Sequence, residues 1–131
     1  MQQPSLKRIL LVEDEPDIRF ITTHALRALG GFEVEPCESG AEAVEKAADF
    51  VPDLVLSDVM MPGMDGLSTL QALRKLSIMQ NVPVVFMTAR VQKHEVEEYK
   101  ALGVAEVIDK PFDPTQLPDR LSSIWSASLT N

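Results

Sequence analysis

The sequence predicts an α/β domain built on a parallel sheet, and three observations predict it. Short apolar runs recur along the chain, and a stretch with apolar residues at helical spacing follows each one. The runs are near-continuous rather than alternating, as in strands buried on both faces. Most of them also stop abruptly on charged or hydroxyl-bearing residues: Glu13-Asp14, Asp58, Thr88 and Lys110. Strands alternating with helices in this way build right-handed βαβ units.

Leu6 to Val12 reads as the first strand, halted by Glu13-Asp14-Glu15. Pro16 suits a first helical position. Ile18, Ile21, Ala25 and Leu29 then repeat at helical spacing until Gly30-Gly31 closes the helix. Phe32 to Cys37 is a weaker second strand. Ser39-Gly40-Ala41-Glu42 matches a capping box and opens an alanine-rich helix through Val44, Ala47 and Ala48. Leu54 to Leu56, running on to Asp58, is the third strand, bounded by Pro52 and by Pro62-Gly63. A helix carrying Leu67, Leu70, Leu73 and Leu76 comes next.

Pro83 to Met87 is the fourth strand, ending at Thr88-Ala89. Gln92 to Leu102 is polar, with Val96, Tyr99 and Leu102 as its few anchors, so this helix is expected to be the least firmly packed. Gly103 stops it. Val104 to Ile108 forms the fifth strand and runs into Asp109-Lys110-Pro111. Asp113-Pro114-Thr115-Gln116 caps a last helix with Leu117, Leu121, Ile124 and Trp125, and Pro118 is expected to distort its first turns or move its start forward.

The 131 residues suit one domain, with a core from about residue 6 to 127. A hydrophobic share of 45% is enough to build that core. Twelve basic against 20 acidic residues leave a net charge of −8, which disfavours binding to nucleic acid through its phosphates. The single cysteine, Cys37, forms no internal disulfide and reads as a small buried hydrophobe. No apolar run is long enough for a membrane span, and no signal peptide layout opens the chain, so a cytoplasmic location is expected. The residues after Trp125 are too few for an output domain.

In a parallel sheet the carboxyl ends of the strands share one edge, which is where such sheets place their chemistry. Asp58 alone reads more readily as a turn aspartate than as a reactive one. Glu13, Asp14, Asp58, Thr88 and Lys110 together are harder to explain as independent turn residues. They bring three carboxylates, a hydroxyl and an ammonium to a single edge.

These residues resemble the receiver domain of bacterial response regulators over nearly the whole chain. The resemblance is carried by Glu13-Asp14, by Asp58 with Met60-Met61-Pro62-Gly63-Met64-Asp65-Gly66 after it, by Thr88-Ala89 and by Lys110-Pro111-Phe112. It implies a flavodoxin-like, doubly wound five-stranded sheet in the order 2-1-3-4-5 with five helices, the order of the chemotaxis member of this family. It implies Mg²⁺ held by Asp14 and Asp58, by the Met60 carbonyl, and by Glu13 through water. Asp58 is then the nucleophile for a phosphoryl group from a sensor histidine kinase or histidine phosphotransfer protein. Lys110 offsets charge, Thr88 meets the phosphoryl group, and a cis Lys110-Pro111 bond aims the ammonium inward. The implied role is a single-domain response regulator that signals to a downstream protein through altered contacts. It catalyses its own phosphorylation and dephosphorylation rather than conventional turnover.

One departure is plain. Many receivers carry Tyr or Phe three residues before the lysine, where this chain has Val107, so an aromatic switch at that position is not expected. That leaves a pseudo-receiver interaction module, or a phosphate sink, as the alternative role. Met60 and Arg90 stand where the family tunes phosphoryl lifetime. A phosphohydrolase would want an Asp where Met60 stands, and a flavin carrier would want a Ser/Thr/Gly loop where Glu13-Asp14-Glu15 stands. Met60, Met61 and Met64 read as packing rather than a copper site. His24 and His94 read as surface residues, and Glu95, Glu97 and Glu98 as a solvated helix face.

Overall fold

The computed structural model describes residues 5–89 and 92–129, so Arg90 lies outside the described residues. Strands β1 (Arg8–Val12), β2 (Glu33–Cys37), β3 (Leu54–Asp58), β4 (Val84–Thr88) and β5 (Glu106–Asp109) alternate with helices α1 (Pro16–Ala28), α2 (Gly40–Phe50), α3 (Gly66–Arg74), α4 (Lys93–Ala101) and α5 (Leu117–Ser128). A single 3₁₀ turn, Ser77–Met79, precedes β4. All strand pairs are parallel, and the spatial order is β2-β1-β3-β4-β5, the flavodoxin-like order expected. No helix among the described residues is long and apolar enough to cross a membrane.

The central strands show why the apolar runs are continuous. Every residue of β3 and of β4 is buried. Side chains alternate between two layers. Leu10, Val12, Val55, Phe86 and Val107 pack toward one cluster, which Leu70 and Leu73 of α3 help to fill. Ile9, Leu11, Leu54, Leu56 and Ile108 pack into the other, with Leu26 of α1 and Leu117, Leu121 and Trp125 of α5. The Trp125 indole N–H donates to the Asp53 carbonyl at 3.2 Å, tying α5 to the start of β3.

Local chemistry sets most element boundaries. Pro16 opens α1. Ser39 accepts from the Glu42 N–H at 3.1 Å and caps α2, while the Glu42 carboxylate reaches the N–H of Glu38 rather than that of Ser39. Asp65 caps α3 by accepting from the Ser68 N–H at 2.8 Å. Arg74, at the end of α3, donates to the Val82 carbonyl at 2.7 Å and to that of Met79, bracing the connection to β4.

Several boundaries differ from the sequence expectation. Leu76 lies beyond α3, because the chain turns into the 3₁₀ turn there. Strand β5 begins at Glu106 rather than Val104, since the Val104 N–H is taken by the Tyr99 carbonyl at 3.1 Å and closes the preceding turn. Asp113 does not cap α5. Its carboxylate accepts from the Thr115 N–H and hydroxyl at 2.9 and 2.6 Å, organising the turn before the helix. The start of α5 is moved forward to Leu117, as one of the two outcomes expected of Pro118, which falls in the first turn, where no intrahelical N–H is required.

The buried face of α1 also departs from the expected stripe. The helix buries Thr22, Thr23, Ala25 and Leu26, whereas Ile21 is 50% exposed and Leu29 60% exposed. Helix α4 buries no residue fully, in line with its expected loose packing. Val96 and Tyr99 are its partly buried contacts with the core.

Candidate functional site

The site sits at the carboxyl edge of the sheet, where backbone hydrogen bonds continue past the strand ends. The Glu13 N–H donates to the Cys37 carbonyl at 3.0 Å, the Val59 N–H to Met87 at 3.1 Å, and the Lys110 N–H to Thr88 at 2.8 Å. These bonds hold the strand tips in register, so the side chains just beyond them converge.

Glu13, Asp14 and Asp58 each bring a carboxylate oxygen within 4.8 Å of the others. Glu13 is fully buried and Asp58 is buried, while Asp14 is half-buried. The Lys110 Nζ lies 2.6 Å from Glu13 Oε1 and 3.0 Å from Asp58 Oδ2. The Lys110-Pro111 peptide bond is cis, as the sequence expectation had it. Thr88, at the tip of β4, is buried beside the group and lines the same cavity.

Three acids packed together repel unless cations join them. Burial raises the Glu13 carboxyl above its ordinary range; the hydrogen bond from Lys110 takes back part of that, and the charge on Asp58 adds to it. For Lys110, burial works against the ammonium, but the hydrogen bonds to Glu13 and Asp58 and their charges outweigh it. The net shift is upward, and Lys110 stays protonated at neutral pH. One ammonium still leaves a surplus of negative charge among three carboxylates. Hard oxygen donors at this separation are what a hard divalent cation takes, so the cluster could hold such an ion.

The loop after Asp58 is shaped by glycine. The Gly66 N–H donates to the Val59 carbonyl at 2.8 Å. A Cβ on Gly66 would lie 2.7 Å from the Asp58 carbonyl oxygen and 2.8 Å from the Val59 Cα, so only glycine lets α3 start this close to the strand tip. Gly63 has φ +79°, the left-handed turn that brings the loop round. Ahead of that turn Met60 is 77% exposed at the edge of the site, whereas Met61 is buried as packing.

A cavity of about 980 Å³ opens over Asp14, Asp58, Thr88 and Lys110. Ile18, Ile21 and Thr22 of α1 line it, together with Pro111, Phe112 and Pro114 after β5. The outward apolar stripe of α1 therefore borders the site. Met60, Gln92, Glu95 and Tyr99 line it too. Periodicity identifies Ile18 and Ile21 as apolar but assigns them to the core, and the structure moves them to the cavity wall.

Arg19 is a further site residue that motif and spacing do not single out. Its Nη1 donates to the carbonyls of Glu13 at 2.8 Å and Asp14 at 3.3 Å, bracing the loop that carries both acids. Its place one turn into α1, just after the acidic pair, is the signal that could have found it. His24 and His94 are both exposed and stand apart from the cavity lining, and His24 stacks on Phe20 at 6.4 Å. Glu97 and Glu98 are solvated, but Glu95 is half-buried and borders the cavity.

Comparison with known proteins gives the same picture. Residues 9–122 match the family model described as the response regulator receiver domain. Response regulator Rre1 of Synechocystis sp. is 38% identical over 109 residues, which are 83% of this chain and 47% of that protein. The phosphate regulon transcriptional regulatory protein PhoB of Escherichia coli is 34% identical over 118 residues, 90% of this chain and 51% of that protein. This chain thus spans about half the length of these curated relatives. Among solved structures, the chemotaxis response regulator CheY4 of Vibrio cholerae superposes with a TM-score of 0.84 at 32% identity, covering 92% of this chain and 99% of that one. A CheY-like receiver domain protein from Methanospirillum hungatei gives 0.83 at 26% identity, covering 96% and 98%. With the fold, the acidic group and the lysine all in place, the chain belongs to the response regulator receiver domain family.

Proposed function

We propose that this receiver accepts a phosphoryl group on Asp58 from the phosphohistidine of a sensor histidine kinase or phosphotransfer protein, in the cytoplasm, and signals through changed protein contacts. The observation that carries the reading is the double contact of the Lys110 ammonium with Glu13 and Asp58, beside the half-buried Asp14. An ammonium in that position offsets charge on the transferring oxygens, so positioning and electrostatics do most of the work.

Asp14 and Asp58 would hold Mg²⁺ directly, with the Met60 carbonyl as a further oxygen ligand and Glu13 acting through water. When bound, the ion supplies positive charge to the phosphoryl oxygens and relieves repulsion among the carboxylates. An Asp58 carboxylate oxygen attacks phosphorus, and the imidazole of the donor leaves. The Thr88 hydroxyl, at the tip of β4 beside Asp58, would donate to a phosphoryl oxygen after transfer. The cavity over Asp58 gives the donor its approach, and the Ile18, Ile21 and Phe112 side chains offer it an apolar border.

Incubation with acetyl phosphate and Mg²⁺, followed by intact-mass measurement, tests the reading. One phosphate on the wild-type chain and none on Asp58→Asn is expected. Wild-type protein that stays unmodified with Mg²⁺ present would remove the basis of the proposal.

A further inference from the structure

We propose that Tyr99 is the side chain through which occupancy at Asp58 reaches α4 in this chain. The inference rests on the phosphoacceptor reading above and concerns the regulation of that same site.

It starts from what stands opposite Phe86. Strands β4 and β5 pair in register with Phe86 beside Val107, and both side chains enter the layer that α4 covers. Val107 brings no ring to that layer. Tyr99, on α4, does: its ring meets Phe86 edge-on, with centroids 5.3 Å apart and planes at 78°. This arrangement is a favourable one for two aromatic rings. Phe86 and Thr88 lie two residues apart on one strand, so they share a face, and that face leads to the site.

Tyr99 also borders the cavity that holds Asp58 and Thr88. Glu95, one turn earlier on the same face of α4, borders it as well. A phosphoryl group adds a charge of about −1.5 to −2 at neutral pH. That charge repels the Glu95 carboxylate, while the Tyr99 ring stays seated on Phe86. The helix is pushed at one point and held at the next.

Besides these contacts, the Lys100–Glu106 ion pair at 3.1 Å ties the end of the helix to β5. No residue of α4 is fully buried, so Val96 and Tyr99 carry its packing on the core. The Tyr99 carbonyl in turn accepts from the N–H groups of Leu102 at 3.0 Å and Val104 at 3.1 Å, in the turn that leads to β5. Movement of α4 about the Tyr99 contact is thereby passed to that turn.

Tyr99 is the chain's single tyrosine, so fluorotyrosine incorporation yields one fluorine NMR line that reports on it. With acetyl phosphate and Mg²⁺ the line is expected to shift in step with the fraction phosphorylated, as measured by intact mass on the same sample. In Asp58→Asn it stays where it was. A phosphate adduct with a stationary line overturns the coupling and leaves the phosphoacceptor reading intact. Absence of any adduct sinks that reading and the coupling with it. Amide shifts of Lys93–Ala101 supply a second readout. Tyr99→Leu still takes up phosphate but loses their response to it, whereas Tyr99→Phe, which keeps a ring on Phe86, retains it. An undiminished response in Tyr99→Leu contradicts the proposal.

Discussion

Lys110 and Glu13, 97 residues apart in sequence, meet in an ion pair of 2.6 Å at the carboxyl edge of the sheet. The pair closes the site from β5 to β1, across the intervening β3 and β4. Glu13 has no exposed surface, so its charge depends on Lys110 and on whatever cation the neighbouring acids hold.

Replacing Lys110 by Met should therefore destabilise the fold in a pH-dependent way. Burial raises the Glu13 carboxyl in the folded state, so the stability it contributes is present at low pH and is lost as pH rises through the raised value. Removing the ammonium raises that value further and deepens the loss. Urea unfolding without Mg²⁺ should show Lys110→Met less stable than wild type by about 3 kcal/mol at pH 8, near the lower end for a broken buried ion pair. The gap should narrow toward pH 5. A constant gap across that range would mean that Glu13 does not titrate as described.

If Mg²⁺ binds at these acids, the same upward shift should make its binding depend on pH. Protons compete for Glu13 at a higher pH than for an ordinary carboxylate. Calorimetric titration should give weaker Mg²⁺ binding at pH 5.5 than at pH 8, and Glu13→Gln should flatten that difference. Equal affinities for the wild type at both values would contradict it.

Gly66 admits a sharp steric test. A methyl group there would run into the Asp58 carbonyl oxygen and the Val59 Cα, both main-chain atoms that do not yield easily. Gly66→Ala should lose about 1–3 kcal/mol by overpacking and slow phosphate uptake, because the strand tip carrying Asp58 must shift. Gly63→Ala meets no neighbouring atoms and bears only its left-handed backbone strain, so it should cost about 1 kcal/mol. Thermal unfolding of the two variants distinguishes these cases.

Cys37 offers a control on the closed end of β2. Burial, then the Glu42 charge, pushes its thiol up to about 12, and it has no exposed surface. The thiolate is the reactive form. An aromatic disulfide reagent at pH 8 should leave the native protein unlabelled and modify it fully in denaturant. Rapid labelling of the native protein would show that this edge opens.

How much of this was legible in the sequence follows from which forces are local. Asp58, Thr88 and Lys110 were readable because each ends a short apolar run, and a parallel sheet must bring such ends together. The order of the strands came from the family resemblance, not from spacing. The buried face of α1 differs from the apolar stripe because Ile18 and Ile21 border a cavity formed with Pro111 and Phe112, far along the chain. Their periodicity looks the same whether they face a core or a cavity. Buried Thr22 and Thr23 carry no apolar signal at all. Helical spacing marks Tyr99 only as one of a few helix anchors, and its contact with Phe86 depends on how α4 lies over β4 and β5.

The central claim is that Asp58 is the single nucleophile of a site that requires a divalent cation. Borohydride reduction converts an aspartyl phosphate to homoserine, which peptide mass spectrometry locates in the chain. After treatment with acetyl phosphate, homoserine should be found at position 58 alone when Mg²⁺ is present, and nowhere when the metal is chelated. Homoserine at Asp14 or another acid instead, or at position 58 equally without metal, would contradict that claim.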